Sequence, residues 1–463
     1  MDVRTFFLDQ HGCAKNQVDG ELLVSHLKAR GYKRAENPED AELIIINSCG
    51  FIESAKAESL DSLMQARSSF PGKKIILAGC LAERYADVFK TELPEADGIF
   101  GNGDLSKVAD VADSVLAGGR PVVKPAQSGV CCGNRSMLFS FKGSAYIKIT
   151  EGCDNRCSFC AIPLIRGALR SRTDDEIVAE IKGLLEQGVK EFNLIGQDLA
   201  SYGCGKSDVS ASDGAGLSPL ARLMRRISLL PGKFWVRLLY IHPDHFNADI
   251  LDVMRQDERF LPYFDIPFQS GSTPVIRAMN RRGSHESYVA LIKSIRGAFP
   301  HSCIRTTFLT GFPGETEDDF IQTEKFLLAV QSDWSGCFTY SAEEGTPAFK
   351  MKRKVPRRTA LARAEKLRSV QTHITAERLK DRVGKIYDVL VEEIVENPER
   401  GAGSDEGLAI GRAWYSAPEV DGSFVIRYDL DDERAVNAVR EGEFVRVRAV
   451  ASSALDLDGE LVL

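Results

Sequence analysis

Six of the eleven cysteines in this 463-residue chain stand where thiolates could gather around metal. Cys153, Cys157 and Cys160 form a Cys-x3-Cys-x2-Cys pattern in TEGCDNRCSFCAIP, directly after the strand-like YIKIT. Three thiolates on one short loop can hold three irons of a cubane iron-sulfur cluster and leave the fourth iron open to an outside ligand. A closed zinc site would need a fourth ligand, and no histidine or cysteine follows at a zinc-like spacing.

A second set is dispersed. Cys13 follows FFLDQHG, Cys49 follows ELIIINS and Cys80 follows KKIILAG, at separations of 36 and 31 residues. One βαβ unit takes about 30 residues, so each cysteine falls once per unit at the carboxyl end of a parallel strand, and the three should converge on one rim. Gly12, Gly50 and Gly79 beside them would let backbone approach a bulky cluster. Cys131 and Cys132 read as exposed linker thiols, Cys204 as a loop thiol, and Cys303 and Cys337 as buried packing.

The elements that must position these thiols form an α/β multidomain chain. At 463 residues, 43% hydrophobic and 27% charged, the sequence is too long for one core. Residues 1–120 alternate apolar runs with helical patterns and read as a parallel α/β domain. A Gly-, Pro- and Ser-rich linker is expected over 121–138. Over 139–372, AYIKIT, EFNLIGQD, FWVRLLYI, YFDIPFQ, IRTTFLTGF and CFTYSA are separated by helical stretches, which implies an open or closed TIM-like βα barrel. A mobile loop is expected over Cys204 to Pro219, and a long basic helix over Pro356 to Arg382. Short β-branched strands over 377–463 fit a small antiparallel β-barrel. With no leader and no apolar run of roughly 18 residues, a cytoplasmic protein without a membrane segment is expected. In a reducing compartment, cysteines serve metal or catalysis rather than disulfides.

The segments HGCAKNQVDGELL, NSCGFIESAKAES, AGCLAERY, EGCDNRCSFCAIPLIRGALRSR, TTFLTGFPGET and YSAEEGTPA resemble the methylthiotransferase family of radical S-adenosylmethionine (SAM) enzymes. That resemblance implies a flavodoxin-like first domain, a radical SAM barrel and a C-terminal TRAM β-barrel. It also implies two four-iron four-sulfur clusters, on Cys13, Cys49 and Cys80 and on Cys153, Cys157 and Cys160, and two SAM molecules, one a methyl donor and one a radical source. Phe159, Gln197, Gln269 and Arg305 are candidates for holding the SAM cofactor. Within the family, GCLAERY, IGQDLASYG, YIHPDHF and APEVDG resemble the branch that acts on the β-carbon of an aspartate in ribosomal protein S-twelve. Gly20 and Ser270 depart from the family pattern, where serine and histidine are more usual. The partners implied are ribosomal protein S-twelve, free or on the small ribosomal subunit, and an electron-donor protein; a monomer is expected.

Charge bears on that partner. Residues 383–463 carry a net −10 and the rest of the chain +3. An acidic module repels RNA phosphate and attracts a basic protein. Three other readings compete: methylthiolation of a transfer-RNA adenosine, a two-cluster electron carrier, and a zinc-stabilised scaffold.

Overall fold

The computed structural model describes residues 4–206, 208, 216–395 and 406–463. Strands β1 (Thr5–Gln10), β2 (Lys33–Arg34), β3 (Leu43–Ser48), β4 (Lys74–Gly79), β5 (Gly98–Phe100) and β6 (Val122–Val123) make one sheet in the order β2-β1-β3-β4-β5-β6. Every pairing is parallel. The central strand β3, LIIINS, is buried along its whole length, which is why its sequence runs apolar instead of alternating. The chain leaves β1 toward β2 on one side, while β3, β4, β5 and β6 follow on the other. The sheet therefore has a switch point at β1 and β3, where open α/β sheets form a crevice at the strand carboxyl ends.

The second body is built from β7 (Ser144–Lys148), β8 (Thr150–Glu151), β9 (Arg170–Ser171), β10 (Glu191–Ile195), β11 (Trp235–Leu238), β12 (Phe260–Asp265), β13 (Cys303–Thr310) and β14 (Trp334–Thr339). Six of these pair in parallel in chain order, β7-β10-β11-β12-β13-β14. No pairing joins β14 to β7 among the described residues, so this βα barrel is open. β8 and β9 form a separate antiparallel pair, Thr150 to Ser171 and Glu151 to Arg170, that staples both ends of the cysteine loop. Helix Asp174–Glu186 starts on a reciprocal cap between Thr173 and Glu176. The basic helix spans Arg357–Lys380 and packs on β13 and β14. The loop expected from Cys204 to Pro219 falls partly on residues 207 and 209–215, outside the described ones.

At the C-terminus β15 (Ile386–Val395), β16 (Glu406–Ala413), β17 (Phe424–Asp429), β18 (Phe444–Ser452) and β19 (Leu457–Leu461) close a five-stranded barrel. Four seams are antiparallel as expected; the fifth, β17 to β19, is parallel. Helix Glu433–Ala438 carries the chain from β17 to the far side of the barrel, and β19 returns into the remaining gap in the direction of β17. This barrel closes the amino ends of the open barrel's strands. Glu191 at the start of β10 is buried and binds Arg412 at 2.6 Å and Arg237 at 3.1 Å. Tyr263 donates to Asp421 at 2.5 Å, and the Trp334 indole to the Tyr415 carbonyl at 2.8 Å.

The segment expected as a linker is packed. The sheet already reaches β6 beyond residue 120, and buried Arg135 pairs at 2.7 Å with both Glu21 and Glu180, fastening one domain to the next. Among the described residues, no helix is long and apolar enough to cross a membrane.

Candidate active site between two cysteine triads

Cys13 is the residue before helix Ala14–Ala29, Cys49 follows β3, and Cys80 opens helix Cys80–Glu92 directly after β4. The rim expected from the spacing exists. A Cβ on Gly12 would lie 3.1 Å from the Cys49 Cβ and 3.4 Å from its Sγ, and one on Gly50 would lie 2.7 Å from the Cys80 carbonyl. Glycine is needed at both positions because the three loops press together. Gly12 and Cys13 are open to solvent, yet burial among protein atoms is the strongest influence on the Cys13 thiol.

The thiols of this triad differ electrostatically. Burial pushes the Cys13 thiol up, but Lys15, Arg166 and the backbone N–H groups of Asn16 and Lys15 outweigh it and leave it below its ordinary range. Burial, reinforced by Cys80, holds Cys49 at about 12. Burial also raises Cys80, against the pull of Arg166. Three side chains surround the Cys80 sulfur: Arg166 Nη2 donates at 3.1 Å, Asn102 Nδ2 at 3.5 Å, and Cys80 Sγ lies 3.8 Å from Asn16 Oδ1.

Cys153, Cys157 and Cys160 sit on the loop between β8 and helix Ile162–Arg166. Gly152, at φ 72°, lets this loop run against the Ala168 carbonyl, where a Cβ would come within 2.0 Å. Burial raises Cys153 and Cys160 to about 12 each, with the neighbouring thiols adding to it. His242 Nε2 lies 3.8 Å from Cys157 Sγ. Its Nδ1 accepts the Asp244 N–H at 3.2 Å, which leaves the proton on Nε2, facing the sulfur. Asn155, on the same loop, donates to Asp198 at 2.9 Å. A cavity of about 580 Å³ opens beside the loop, lined by Asp154, Asn155, His242, Asp244 and His245 among others.

The two triads are joined by the domain interface. Arg166, at the end of the short helix after Cys160, is 2% exposed and binds Asp19 and Glu151 at 2.9 Å each as well as Cys80. Lys148, buried beside it, pairs with Asp19 and with Glu151 at 2.8 Å. Lys15 Nζ crosses to the Gly196 carbonyl beyond β10, 3.1 Å away. Arg84 and Lys56 of the first domain both bind Glu343. The first domain thus lies over the carboxyl-end mouth of the barrel, where barrel enzymes place their chemistry.

The residues present fit iron-sulfur clusters. No three His, Cys, Asp or Glu side chains among the described residues close on a single metal ion. A cubane, with thiolates on separate irons, spreads its ligands wider. Both amide atoms of Gln197 are buried without a partner, as a ligand-facing side chain would be. Gln269 is held at φ 69° between Thr307 and Leu309, a backbone region that is strained for a non-glycine residue. Phe159 packs with Val275, Met279, Phe312 and Ala348, with Arg281 5.9 Å from its ring centre. Arg305 binds Asp265 at 3.3 Å and Asp421 at 3.2 Å, tying the C-terminal barrel to the strand. Ser270 is buried against Thr323, and Gly20 leaves room for the Gln10 amide. Cys131 and Cys132, expected to be exposed, are half-buried, and Cys131 donates to the Gly103 carbonyl at 2.9 Å because the segment is packed. Sequence reasoning missed Arg166, Lys15, Asn16, Asn102 and His242. All five stand near the cysteines or at strand ends, but nothing in their spacing marks contact with sulfur.

An open six-stranded βα barrel with a three-thiol loop after its first strand defines a radical SAM enzyme, and residues 147–327 match the Radical SAM superfamily. Residues 5–101 match Uncharacterized protein family UPF0004, and 383–462 the TRAM domain. Solved structures of TsrM from Kitasatospora setae, a radical SAM methyltransferase, share the fold at 12% identity; one with cobalamin and a [4Fe-4S] cluster has a TM-score of 0.53 over 75% of this chain and 77% of that one. The chain is 50% identical to the ribosomal protein uS12 methylthiotransferase RimO of Treponema denticola, over 98% of this chain and all of that protein. It is 37% identical to the RimO of Thermotoga maritima, over 90% and 92%. The chain belongs to the RimO methylthiotransferase family and is a transferase.

Proposed function

We propose that this enzyme adds a methylthio group to the β-carbon of an aspartate in ribosomal protein S-twelve, using two four-iron four-sulfur clusters and two SAM molecules. Cys13, Cys49 and Cys80 would hold one cluster and Cys153, Cys157 and Cys160 the other, the catalytic pair of sites. The observation that carries this reading is Arg166, which begins from the helix of one triad and ends on a sulfur of the other. A carbon between the triads could be reached from both.

When bound, the barrel group supplies a carbon-centred radical from SAM, and the first-domain group supplies sulfur to the substrate. The chain's own part is positional. Six thiolates hold the groups, and His242 donates toward Cys157 while Arg166 and Asn102 donate toward Cys80, which fixes sulfur orientation and charge. Gln197, Gln269, Phe159 and Arg305 would line the cofactor. The first domain over the mouth excludes water from the reacting carbon.

The C-terminal barrel supports a basic protein partner. A groove of about 610 Å³ on it is lined by five carboxylates, Glu406, Asp429, Asp431, Asp432 and Glu460, against one cation, Arg427, which pairs with Glu406. With these carboxylates and the net −10 of residues 383–463, phosphate would be repelled and a basic protein drawn in. The domains would act as 1–120, 139–372 and 377–463, in a cytoplasmic monomer served by an electron-donor protein.

Anaerobic reconstitution tests the reading. Expected are about eight irons per chain and a methylthio mass gain on the S-twelve aspartate under reductant. A gain on transfer RNA alone, or far less iron, would overturn it.

A further inference from the structure

Lys15, two positions after Cys13, is 8% exposed and meets no carboxylate at ion-pair distance among the described residues. Burial and Arg166 work against its charge, and the opposite charges that favour it, Cys13 first and then Glu151 and Asp265, act without a hydrogen bond to its Nζ. Lys148 shows the usual solution a short distance away, held by Asp19 and Glu151. Lys15 instead crosses the domain boundary. Its Nζ donates to the Gly196 carbonyl at 3.1 Å and lies 3.7 Å from the centre of the Tyr240 ring. An ammonium has three N–H donors; the carbonyl takes one and the ring face a second, which leaves one for a ligand.

The surroundings are polar and unfilled. Gln197, next after Gly196, has both amide atoms buried and unpartnered. The Tyr240 hydroxyl forms no hydrogen bond among the described residues, although its backbone is held at φ 67°, in the left-handed region that side chains seldom occupy. Lys15 and Tyr240 therefore meet beside Cys13 at the barrel mouth, with Gln197 one residue beyond the carbonyl that Lys15 binds.

We infer that Lys15 is the receptor for the substrate's side-chain carboxylate, with Gln197 and Tyr240 completing a carboxylate-binding site at the domain boundary. This rests on the proposed function, in which the carbon receiving sulfur is one bond from a carboxylate. Any pose that brings that carbon between the triads brings the carboxylate there too. A buried cation with a donor to spare then selects aspartate over asparagine, which has the same shape but no charge. It would also make the first domain a reader of the substrate as well as a holder of metal.

The same chemistry could come from the methionine carboxylate of SAM, so the test separates the two. The reconstituted full chain is given a peptide spanning the aspartate, or the same peptide with asparagine there. kcat/KM is measured for each peptide, with SAM affinity measured by calorimetry. The wild type should favour aspartate by roughly tenfold to a hundredfold, the range of a charge-assisted hydrogen bond. Lys15→Met should bring the ratio near one, and Lys15→Arg should keep most of it. Because the ratio is taken within one preparation, a folding defect lowers both values and leaves it unmoved. An unchanged ratio in Lys15→Met overturns the inference. So does weaker SAM binding with the ratio intact, which would give Lys15 to the cofactor. A wild type that modifies neither peptide would instead overturn the functional reading, and this inference with it.

Discussion

The two cysteine triads bring together the same number of thiols by opposite routes. One lies within eight consecutive residues, on a loop stapled by the Thr150 to Ser171 and Glu151 to Arg170 pairs. The other is distributed over three strand ends of a parallel sheet and exists only once that sheet has formed. Their surroundings differ as well. In the local triad burial raises Cys153 and Cys160, and a neutral imidazole stands beside Cys157, whereas the distributed triad sits beside two cations, Lys15 and Arg166. A local loop can be placed by its own hairpin. A distributed set needs the tertiary fold for its geometry, and here the neighbouring domain supplies part of its charge.

The largest effect that sharpens this comparison is iron loss. Changing Cys13, Cys49 and Cys80 together to alanine should halve bound iron, abolish methylthiolation and leave reductive cleavage of SAM to deoxyadenosine. Changing Cys153, Cys157 and Cys160 should also halve iron but abolish cleavage. Iron analysis with deoxyadenosine assay reads both, and equal cleavage loss in the two variants would break the distinction.

Arg166→Ala comes next. It strands Asp19 and Glu151 beside a single remaining cation, Lys148, and removing one partner of a buried pair costs about 3–5 kcal/mol. A lower urea midpoint should be accompanied by a lower reduction potential of the first-domain cluster, since a donor to its sulfur is gone. The barrel cluster should shift less, although Arg166 is closer to it in sequence. A larger shift there would mean that sequence proximity, and not the contact with Cys80, governs the effect.

The sequence shows the local triad in full, because its chemistry is written in spacing. For the distributed triad, ELIIINS and KKIILAG mark buried parallel strands, and the residue after such a strand lies at the crevice by topology alone. All six barrel strands were likewise visible as apolar runs. β2, β5 and β6 were not, being two or three residues long with no periodicity to detect. Nor was the parallel seam of β17 and β19, which depends on where a short helix carries the chain. Nothing in PLIRG or GCAKN sets Arg166 or Lys15 apart from any other cation; only the fold reveals that each crosses to the other domain. Side-chain reach across an interface leaves no local pattern.

His242→Ala should act more weakly than Arg166→Ala. It removes a 3.8 Å contact to Cys157 and the acceptor of the Asp244 N–H, for about 1 kcal/mol in a urea midpoint. The barrel cluster's potential should fall slightly and the other cluster's not at all. The reverse order would break the contrast.

The smallest effect is a pH dependence confined to the local triad's side. Burial raises the Asp198 carboxyl, but hydrogen bonds from His245, Asn155 and Ser201 outweigh it and hold it at about 2. The hydrogen bond to Asp198, against burial, raises His245 above its ordinary 6.5. The imidazolium's contribution to stability is therefore complete below pH 6.5 and is lost as pH rises through the raised value. The Asp198 contribution is present above 3.8 and is lost only as pH falls toward 2. Because the His245 side chain is 33% exposed, solvent screening limits its share to less than about 1 kcal/mol. Urea midpoints of the wild type should therefore fall slightly between pH 6 and pH 8.5, and in His245→Gln this slope should vanish while the acid limb set by Asp198 remains. A wild type that is flat across this range would show that the imidazole carries no charge in the native state, and the hydrogen bond to Asp198 would then be a neutral one.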